Sequence, residues 1–203
     1  MFKSFFENFI TPKDNFFGRF MLISMNKEHE KLAMWGRSYL EIKKEYTILD
    51  LGCGGGRNIE YFLTKANKVY GIDHSPTSVK MASKINMQAI KDGRCQILVG
   101  DVRNIPFLDE SIDIVTAFET IYFWNDIENC FKEIYRVLKK DGQFLICNEA
   151  SSKKRKDVRR LLRIIDFEVY TPDDLINMLT KIGFDCKYDL DKKEQLTFIA
   201  KKK

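Results

Sequence analysis

The sequence predicts an α/β fold with a seven-stranded, mostly parallel sheet, a C-terminal antiparallel hairpin and an N-terminal helical segment. Short apolar runs alternate with segments of helical periodicity from about residue 45 onward, which is the pattern of βαβ units. Only a short polar turn separates the last two runs. A crossover helix cannot fit there, so these two strands must form an antiparallel pair. Residues 1–44 lie outside the alternation and look helical.

Each predicted strand is a short apolar run bounded by turn residues. The first of them, "YTILDLGC", ends in a glycine-rich turn, and the second, "KVYGID", ends in an acid. The predicted strands span residues 46–53, 68–73, 95–101, 112–118, 143–149, 184–190 and 195–203.

The predicted helices carry capping signals at their ends. Ser75 and Pro76 begin one helix, and Gly93 ends it. Thr171 and Pro172 begin another, followed by two acids at the positive end of the helix dipole. The predicted helices of the alternating region span residues 57–66, 75–93, 127–142 and 171–183, and the clearest helical part of the N-terminal segment spans 25–42.

The turn after the first strand predicts a ligand site. "ILDLGCGGGRN" (48–58) places four glycines in five positions of a chain that has only 11. Ligands of open α/β sheets bind at the carboxyl ends of the strands, and glycines let backbone N–H groups approach them. The dinucleotide pattern G-x-G-x-x-G fails, because Arg57 or Ile59 stands where its third glycine belongs. A nicotinamide oxidoreductase is therefore disfavoured, and the pattern present is D-x-G-x-G-x-G from Asp50 to Gly56.

Four blocks in this order resemble the class I S-adenosylmethionine-dependent methyltransferases, especially the small-molecule branch of ubiquinone- and menaquinone-biosynthesis-like enzymes. The resemblance covers the chain from about residue 45 to its end. It implies a Rossmann-like methyltransferase domain over 45–203, with S-adenosyl-L-methionine as cofactor and in-line methyl transfer to a small-molecule acceptor. The blocks are "ILDLGCGGGRN", "VYGIDHSPTSVKMA", "ILVGDVRNIPF" and "FDCKYDL" with the later "TFIA".

The resemblance also implies which residues bind the cofactor. Asp50 would lie near its amino group, and Asp73 would accept both ribose hydroxyls, which suits a carboxylate with two acceptor oxygens. Asp101 would accept from the adenine amine while the backbone N–H of Val102 donates to the ring. The expected cofactor-binding residues are Asp50, Gly52, Cys53, Gly54, Asp73, His74, Asp101, Val102 and Phe118.

Several of these residues have a purely structural alternative. Asp73 could simply cap the helix that follows it, and Val102 could belong to the core. His74 is also compatible with a solvent-facing loop position. Cys53 is interpreted as a small filler of the turn rather than a nucleophile.

The candidate catalytic residues are Tyr122, Glu119 and His29. By resemblance, Glu119 faces the sulfonium and the incoming acceptor. A base is needed only if the acceptor holds a proton of high pKa, and Asp126 is a further candidate that spacing does not separate from Glu119 and His29. Tyr122 and Trp124 follow the fourth strand, where aromatic faces suit a cationic sulfonium or a flat acceptor. Alternatively, these rings anchor the loop to the next helix.

The N-terminal segment is rich in phenylalanine. In similar enzymes this region folds over the active site, so we predict that residues 1–44 form a helical lid. The alternatives are an amphipathic helix that only packs on the domain, and a membrane-surface or dimer contact. Seven of the sixteen phenylalanines stand at positions 2, 5, 6, 9, 16, 17 and 20.

The segment "KKRKDVRRLLR" (153–163) carries seven basic residues and one acid, whereas the whole chain carries a net charge of only +5. Val158, Leu161, Leu162 and Ile165 follow i, i+3, i+4, i+7 and predict an amphipathic helix with a cationic outer face. This face could attract an anionic acceptor such as a phosphorylated metabolite, a lipid headgroup or RNA. It could equally be a solvated surface.

Composition limits the remaining possibilities. No apolar run reaches the roughly 18 residues that cross a bilayer, and charges interrupt the N-terminal apolar stretch, so we expect a cytoplasmic protein. The five cysteines are scattered without a C-x-x-C pair, which indicates reduced core residues. Two histidines without ligand spacing predict no metal site.

Two rival functions remain open. One is methylation of RNA or protein through the basic 153–163 helix, although no recognisable nucleic-acid module is visible. The other is a non-catalytic S-adenosylmethionine-binding module. The sequence gives neither the acceptor nor the oligomeric state.

Overall fold

The computed structural model describes residues 30–163 and 167–203. Within them the chain forms a seven-stranded sheet in the order β3-β2-β1-β4-β5-β7-β6. The N-terminal residues that include His29, and residues 164–166, lie outside the described residues. The strands are β1 (Thr47–Leu51), β2 (Lys68–Asp73), β3 (Cys95–Val99), β4 (Ile112–Phe118), β5 (Leu138–Asn148), β6 (Phe184–Leu190) and β7 (Leu196–Lys202).

The sheet confirms the predicted mixture of parallel and antiparallel pairing. Strands β1 to β5 pair in parallel, whereas β7 runs antiparallel to both β5 and β6. The strand order reverses between β1 and β4, which lie side by side. Their carboxyl ends therefore frame the edge at which open α/β sheets bind ligands.

Helices cover both faces of the sheet. The described helices are α1 (Glu30–Arg37), α2 (Arg57–Leu63), α3 (Pro76–Ile85), α4 (Met87–Lys91), α5 (Ile127–Val137), α6 (Lys156–Leu161) and α7 (Pro172–Ile182). On one face α5 and α7 pack over β4, β5 and β7, and on the other α2 and α3 pack over β1 and β2.

The single helix expected over 75–93 is divided into α3 and α4 at Asn86. Its side-chain amide donates hydrogen bonds to the carbonyl oxygens of Gly56 and Ala82, at 3.1 and 2.9 Å. Asn86 is only 4% exposed. It ties this helix to the glycine-rich turn, and that tie accounts for the break.

The helix expected over 127–142 ends earlier than predicted. It stops at Val137, and β5 begins at Leu138, which pairs with Ile112 of β4. A bend at Asp141, whose φ is +65°, precedes the longer paired stretch of β5. Strand pairing at Leu138 therefore overrides the helical pattern in this segment.

The two flanking helices differ from the prediction. Where 25–42 was expected, α1 is described from Glu30, the first described residue, and it ends at Arg37, before the expected end. It packs tightly on β5, since the Cys147 thiol contacts the carbonyl oxygen of Leu32 at 3.4 Å. In the basic segment, α6 has only six residues, of which Val158 is buried against the domain. None of the helices in the described ranges is long and apolar enough to cross a membrane.

Candidate active site

A cleft of about 410 Å³ opens at the carboxyl edge of the sheet, beside the strand-order reversal. The turns after β1, β2, β3 and β4 form most of its walls, and α1 contributes a further side. The lining residues are Glu30, Leu32, Ala33, Gly52, Cys53, Gly54, Gly55, Arg57, Asn58, Ile72, Asp73, His74, Ser78, Gly100, Asp101, Val102, Arg103, Phe118, Glu119, Thr120, Phe123, Trp124, Asn125 and Cys130.

The glycines of the turn after β1 have different tasks. A Cβ at Gly52 would lie 2.1 Å from the Thr120 hydroxyl oxygen, and one at Gly56 would lie 2.7 Å from Ala82. These two positions are closed by neighbouring protein. Gly54 has φ +50°, and a Cβ there would meet no atom within 4 Å. Its backbone thus borders open cleft, as expected of a cradle for a ligand.

Asp73 holds this turn from the end of β2. Its two carboxylate oxygens accept backbone N–H groups, one from Gly54 and one from Ser75, each at 2.8 Å. The residue is 6% exposed and lines the cleft. Asp73 therefore does cap the following turn, and each oxygen retains a second lone pair for a ligand hydroxyl.

Asp50 lies beneath the turn rather than in the cleft wall. One carboxylate oxygen accepts from the Thr116 hydroxyl at 2.7 Å, and the other has no partner in the described structure. Burial raises the pKa of Asp50 to about 7, although the bond from Thr116 lowers it. A buried, unpartnered acceptor at this place suits a cationic group of a ligand above it.

Asp101 follows β3 and forms an ion pair with Arg103. The guanidinium Nε donates to both carboxylate oxygens at 3.0 Å. The hydrogen bond from Arg103 lowers the pKa of Asp101. Both side chains are about half exposed and line the cleft, with the partly buried Val102 between them. Arg103 was not among the residues predicted from the sequence.

Glu119 is the first residue after β4 and adopts a left-handed conformation with φ +58°. Its carboxylate accepts the backbone N–H of Glu149 at the end of β5. Burial raises the pKa of Glu119 to about 8, against the lowering effect of the bond from Glu149. A carboxyl with this pKa in a cleft can exchange a proton near neutral pH.

Tyr122 is not part of the cleft wall, contrary to our prediction. Its hydroxyl accepts from the backbone N–H of Ala150 at 2.8 Å and donates to the carbonyl oxygen of the same residue at 3.2 Å. The ring is 7% exposed and packs against Val158 and Val169. The short 3₁₀ helix Ile121–Phe123 turns the ring away from the cleft. The cleft lining includes its neighbour Phe123 and not Tyr122, although a hydrogen bond from Tyr122 lowers the pKa of the Glu119 carboxyl.

The remaining predicted residues fall into three groups. Phe118 and Cys53 line the cleft from partly or fully buried positions, and burial raises the pKa of the Cys53 thiol well above its ordinary value. His74 also lines it but is 53% exposed, with Nδ1 3.7 Å from the carboxylate of Asp73. The candidate base His29 lies outside the described residues.

The loop after β4 supplies cleft residues that sequence reasoning mostly missed. Trp124 lines the cleft as expected, and its indole N–H donates to the Thr120 hydroxyl at 3.2 Å. Thr120, Phe123 and Asn125 line it as well. Their position in the sequence could have indicated them, because they belong to the same short stretch as Glu119. In the described ranges, no group of three or more His, Cys, Asp or Glu residues could hold a metal ion.

Comparison with known proteins gives this cleft a family context. A family model described as "Methyltransferase domain" matches residues 49–146. The chain is 30% identical to YrhH, named as a methyltransferase of Bacillus subtilis, with coverage of 61% of this chain and 69% of YrhH. It is 24% identical to the demethylmenaquinone methyltransferase of Thermotoga maritima, with coverage of 89% and 86%.

Solved structures share the fold. One is a chain from Haloferax volcanii in a complex with the Trm112 methyltransferase activator, at a TM-score of 0.77 and 20% identity, covering 89% of this chain and 92% of that one. Other curated relatives are much longer than the matched part, and the chain spans only 30 to 47% of the length of four of them.

Proposed function

The chain belongs to the class I S-adenosylmethionine-dependent methyltransferases, and we propose that it transfers a methyl group to a small-molecule acceptor. The supporting observation is the cleft at the strand-order reversal, where Asp73 and Asp101 line the open space beside Gly54 and Asp50 is buried beneath the turn. When bound, S-adenosylmethionine supplies a methyl group on a cationic sulfonium, ready for in-line displacement.

The residues around Gly54 fit this cofactor. Asp73 would hold the ribose hydroxyls with its free lone pairs, and Asp101 with Val102 would hold the adenine. The unpartnered oxygen of Asp50 lies beneath the turn and suits an ammonium group. The guanidinium of Arg103 already donates hydrogen bonds to the Asp101 carboxylate. It must therefore share or release that carboxylate when the adenine binds.

The acceptor side is formed by residues after β4. Phe123 and Trp124 provide apolar surface for alignment of the acceptor, which together with exclusion of water is the main task of the protein in methyl transfer. Glu119 would take the proton from an acceptor that must lose one. Its pKa of about 8 keeps it basic enough for that role, and burial is the cause.

The proposal also includes a lid over the cleft and a class of acceptor. Glu30, Leu32 and Ala33 of α1 line the cleft, which supports a lid formed by residues 1–44. The Thermotoga relative is named for a small-molecule acceptor, demethylmenaquinone. An anionic acceptor would be attracted by the basic segment 153–163. We assign the protein to the cytoplasm, in keeping with its free cysteines.

The test is transfer of labelled methyl from S-adenosylmethionine into an extract of the source cells, with the products separated into small-molecule, RNA and protein fractions. We expect label in small molecules with the wild-type protein and none with Asp73→Ala. Label in RNA or protein would favour the rival use of the basic segment. No label in any fraction, with cofactor binding intact, would contradict the enzymatic proposal and favour a binding module.

A further inference from the structure

We propose that the basic segment 153–163 is a docking surface for an anionic lipid bilayer. The proposal concerns association of the protein with a surface and does not depend on the methyl-transfer reaction. Three observations carry it: the charge on this segment, its attachment to the cleft wall, and the exposed apolar side chains on the strand beside it.

The charge on the segment is exposed and largely uncompensated. Six of its seven cations are exposed, and Arg155 is half-buried. Lys153 pairs with Glu168. In the described part of the chain, the five other exposed cations make no ion pair with an acid. They are Lys154, Lys156, Arg159, Arg160 and Arg163.

The segment is attached to the cleft wall by a small apolar cluster. Val158 of α6 packs with Tyr122, Ala150 and Val169, and Phe123 packs against this cluster while also lining the cleft. The basic outer face of α6 and the acceptor side of the cleft are therefore opposite sides of one thin layer. A surface bound by α6 would lie next to the cleft.

Hydrogen bonds also tie the segment to the turn between β6 and β7. The guanidinium of Arg155 donates to the carbonyl oxygens of Glu149 and Lys193, at 2.8 and 2.9 Å. Two large apolar side chains, Tyr188 and Leu190, stand 45% and 41% exposed on the strand that leads into this turn. Exposed apolar groups beside clustered cations are the composition of interfacial membrane surfaces.

Charge and apolar surface together fit a bilayer. Stable association with a bilayer needs two such signals, because neither charge nor a small apolar group suffices alone. The exposed cations of the segment supply the first signal, and Tyr188 and Leu190 supply the second.

A bilayer explains this composition better than a nucleic acid does. Surfaces that bind single strands place aromatic rings between their cations so that bases can stack. The segment 153–163 contains no aromatic residue. Three of its exposed cations, Lys156, Arg159 and Arg160, lie on the short helix α6, and Leu190 is exposed on β6.

The experiment is flotation of the full-length protein with phosphatidylcholine vesicles, either pure or with about one third phosphatidylglycerol. We expect binding to the anionic vesicles only, and weaker binding at high salt because the charges are then screened. The variant Lys154→Glu/Arg159→Glu/Arg160→Glu should lose at least about tenfold in partitioning, since each basic residue near the surface contributes several-fold.

A second triple variant, Lys68→Glu/Lys91→Glu/Lys132→Glu, changes the net charge equally at exposed positions away from the segment. It should bind anionic vesicles as the wild type does. Binding of S-adenosylhomocysteine, measured on all three proteins, checks folding and tests the proposed cofactor independently of docking.

Four outcomes would overturn the docking proposal. They are no binding to anionic vesicles, equal binding to uncharged vesicles, equal losses in both triple variants, and tighter binding to an RNA homopolymer than to vesicles at matched phosphate concentration.

Discussion

The cofactor side and the acceptor side of the cleft are built differently. On the cofactor side, the backbone N–H of Gly54 donates to the carboxylate of Asp73, which ends β2. On the acceptor side, Phe123 and Trp124 stand on a 3₁₀ turn supported by a small separate cluster and by α6. The sheet fixes the first side, whereas the second depends on segments that are distant in sequence. We therefore expect enzymes with this fold to share one cofactor and to differ in the acceptors that they methylate.

Glu119 is the residue at which the two sides meet, and its replacement should have the largest effect. Glu119→Gln keeps an acceptor oxygen for the Glu149 N–H but removes the base. For an acceptor that must lose a proton, turnover should fall about 100-fold, or ~2.7 kcal/mol in barrier. The measurement is turnover against pH, together with S-adenosylhomocysteine affinity, which should change little.

The pH dependence of turnover and of stability provides a second test of Glu119. Wild-type turnover should rise as pH increases through about 8, because only the deprotonated carboxylate of Glu119 accepts a proton. The raised pKa also predicts that the free energy of unfolding decreases between the ordinary glutamate value and pH 8, since the unfolded state loses its proton first. Glu119→Gln should lose the rise in turnover and the part of the stability change that Glu119 causes, whereas the part from Asp50, whose pKa is raised to about 7, should remain. The same rise in turnover in the variant would remove Glu119 as the base.

Asp73→Ala should weaken the cofactor side alone. We expect S-adenosylhomocysteine affinity to fall about 30-fold, ~2 kcal/mol, because hydrogen bonds from a ribose to a charged group are lost. Calorimetric titration measures this loss. Asp92→Ala changes an exposed acid outside the cleft and should bind normally. Unchanged affinity in Asp73→Ala would leave that residue as a helix cap only.

Gly54→Ala tests the cofactor side in a second way, because it adds only one methyl group. The added Cβ would enter open cleft, so we expect about tenfold weaker S-adenosylhomocysteine binding, ~1.4 kcal/mol. The left-handed backbone should also cost about 1 kcal/mol of stability. Gly93→Ala is a suitable control because Gly93 has φ +69° and equally open surroundings, but lies outside the cleft. Equal affinity in both variants would show that no ligand approaches Gly54.

Tyr122→Phe should have the smallest effect on function. The ring remains, but the two hydrogen bonds to Ala150 are lost, so stability should fall by ~1 kcal/mol in denaturant unfolding. Turnover well above pH 8 should stay within about twofold, since Tyr122 does not line the cleft, although loss of its hydrogen bond should raise the pKa of Glu119 further. A drop in turnover with unchanged stability would return Tyr122 to the group of catalytic residues that its sequence position suggested.

The sequence predicted that the acids of the cofactor side gather at the carboxyl edge of the sheet, for a physical reason. Asp50 lies near the end of β1, Asp73 ends β2 and Asp101 follows β3, and parallel strands bring their carboxyl ends to one edge. Strand periodicity therefore determined both the sheet and the placement of these acids. Asp50 still differed in detail, because its buried side chain lies under the turn and not in the cleft wall.

The acceptor side could not be predicted to the same depth. Whether Tyr122 or Phe123 faces the cleft depends on a three-residue helix whose orientation is set by Ala150 and Val158, both more than 25 residues away. Likewise, Asn86 divides a helix through a bond to Gly56 that no local pattern shows. Tertiary contacts determine these features, and such contacts cannot be inferred from a single sequence.

The most direct test of the cofactor site is calorimetric titration of the wild-type protein with S-adenosylhomocysteine, and with NAD under the same conditions. Saturable binding of S-adenosylhomocysteine at one site, lost or strongly weakened in Asp73→Ala, with no binding of NAD, is the result we predict. Absence of S-adenosylhomocysteine binding, or equal binding of NAD, would contradict the assignment of the cleft over Gly54 to this cofactor.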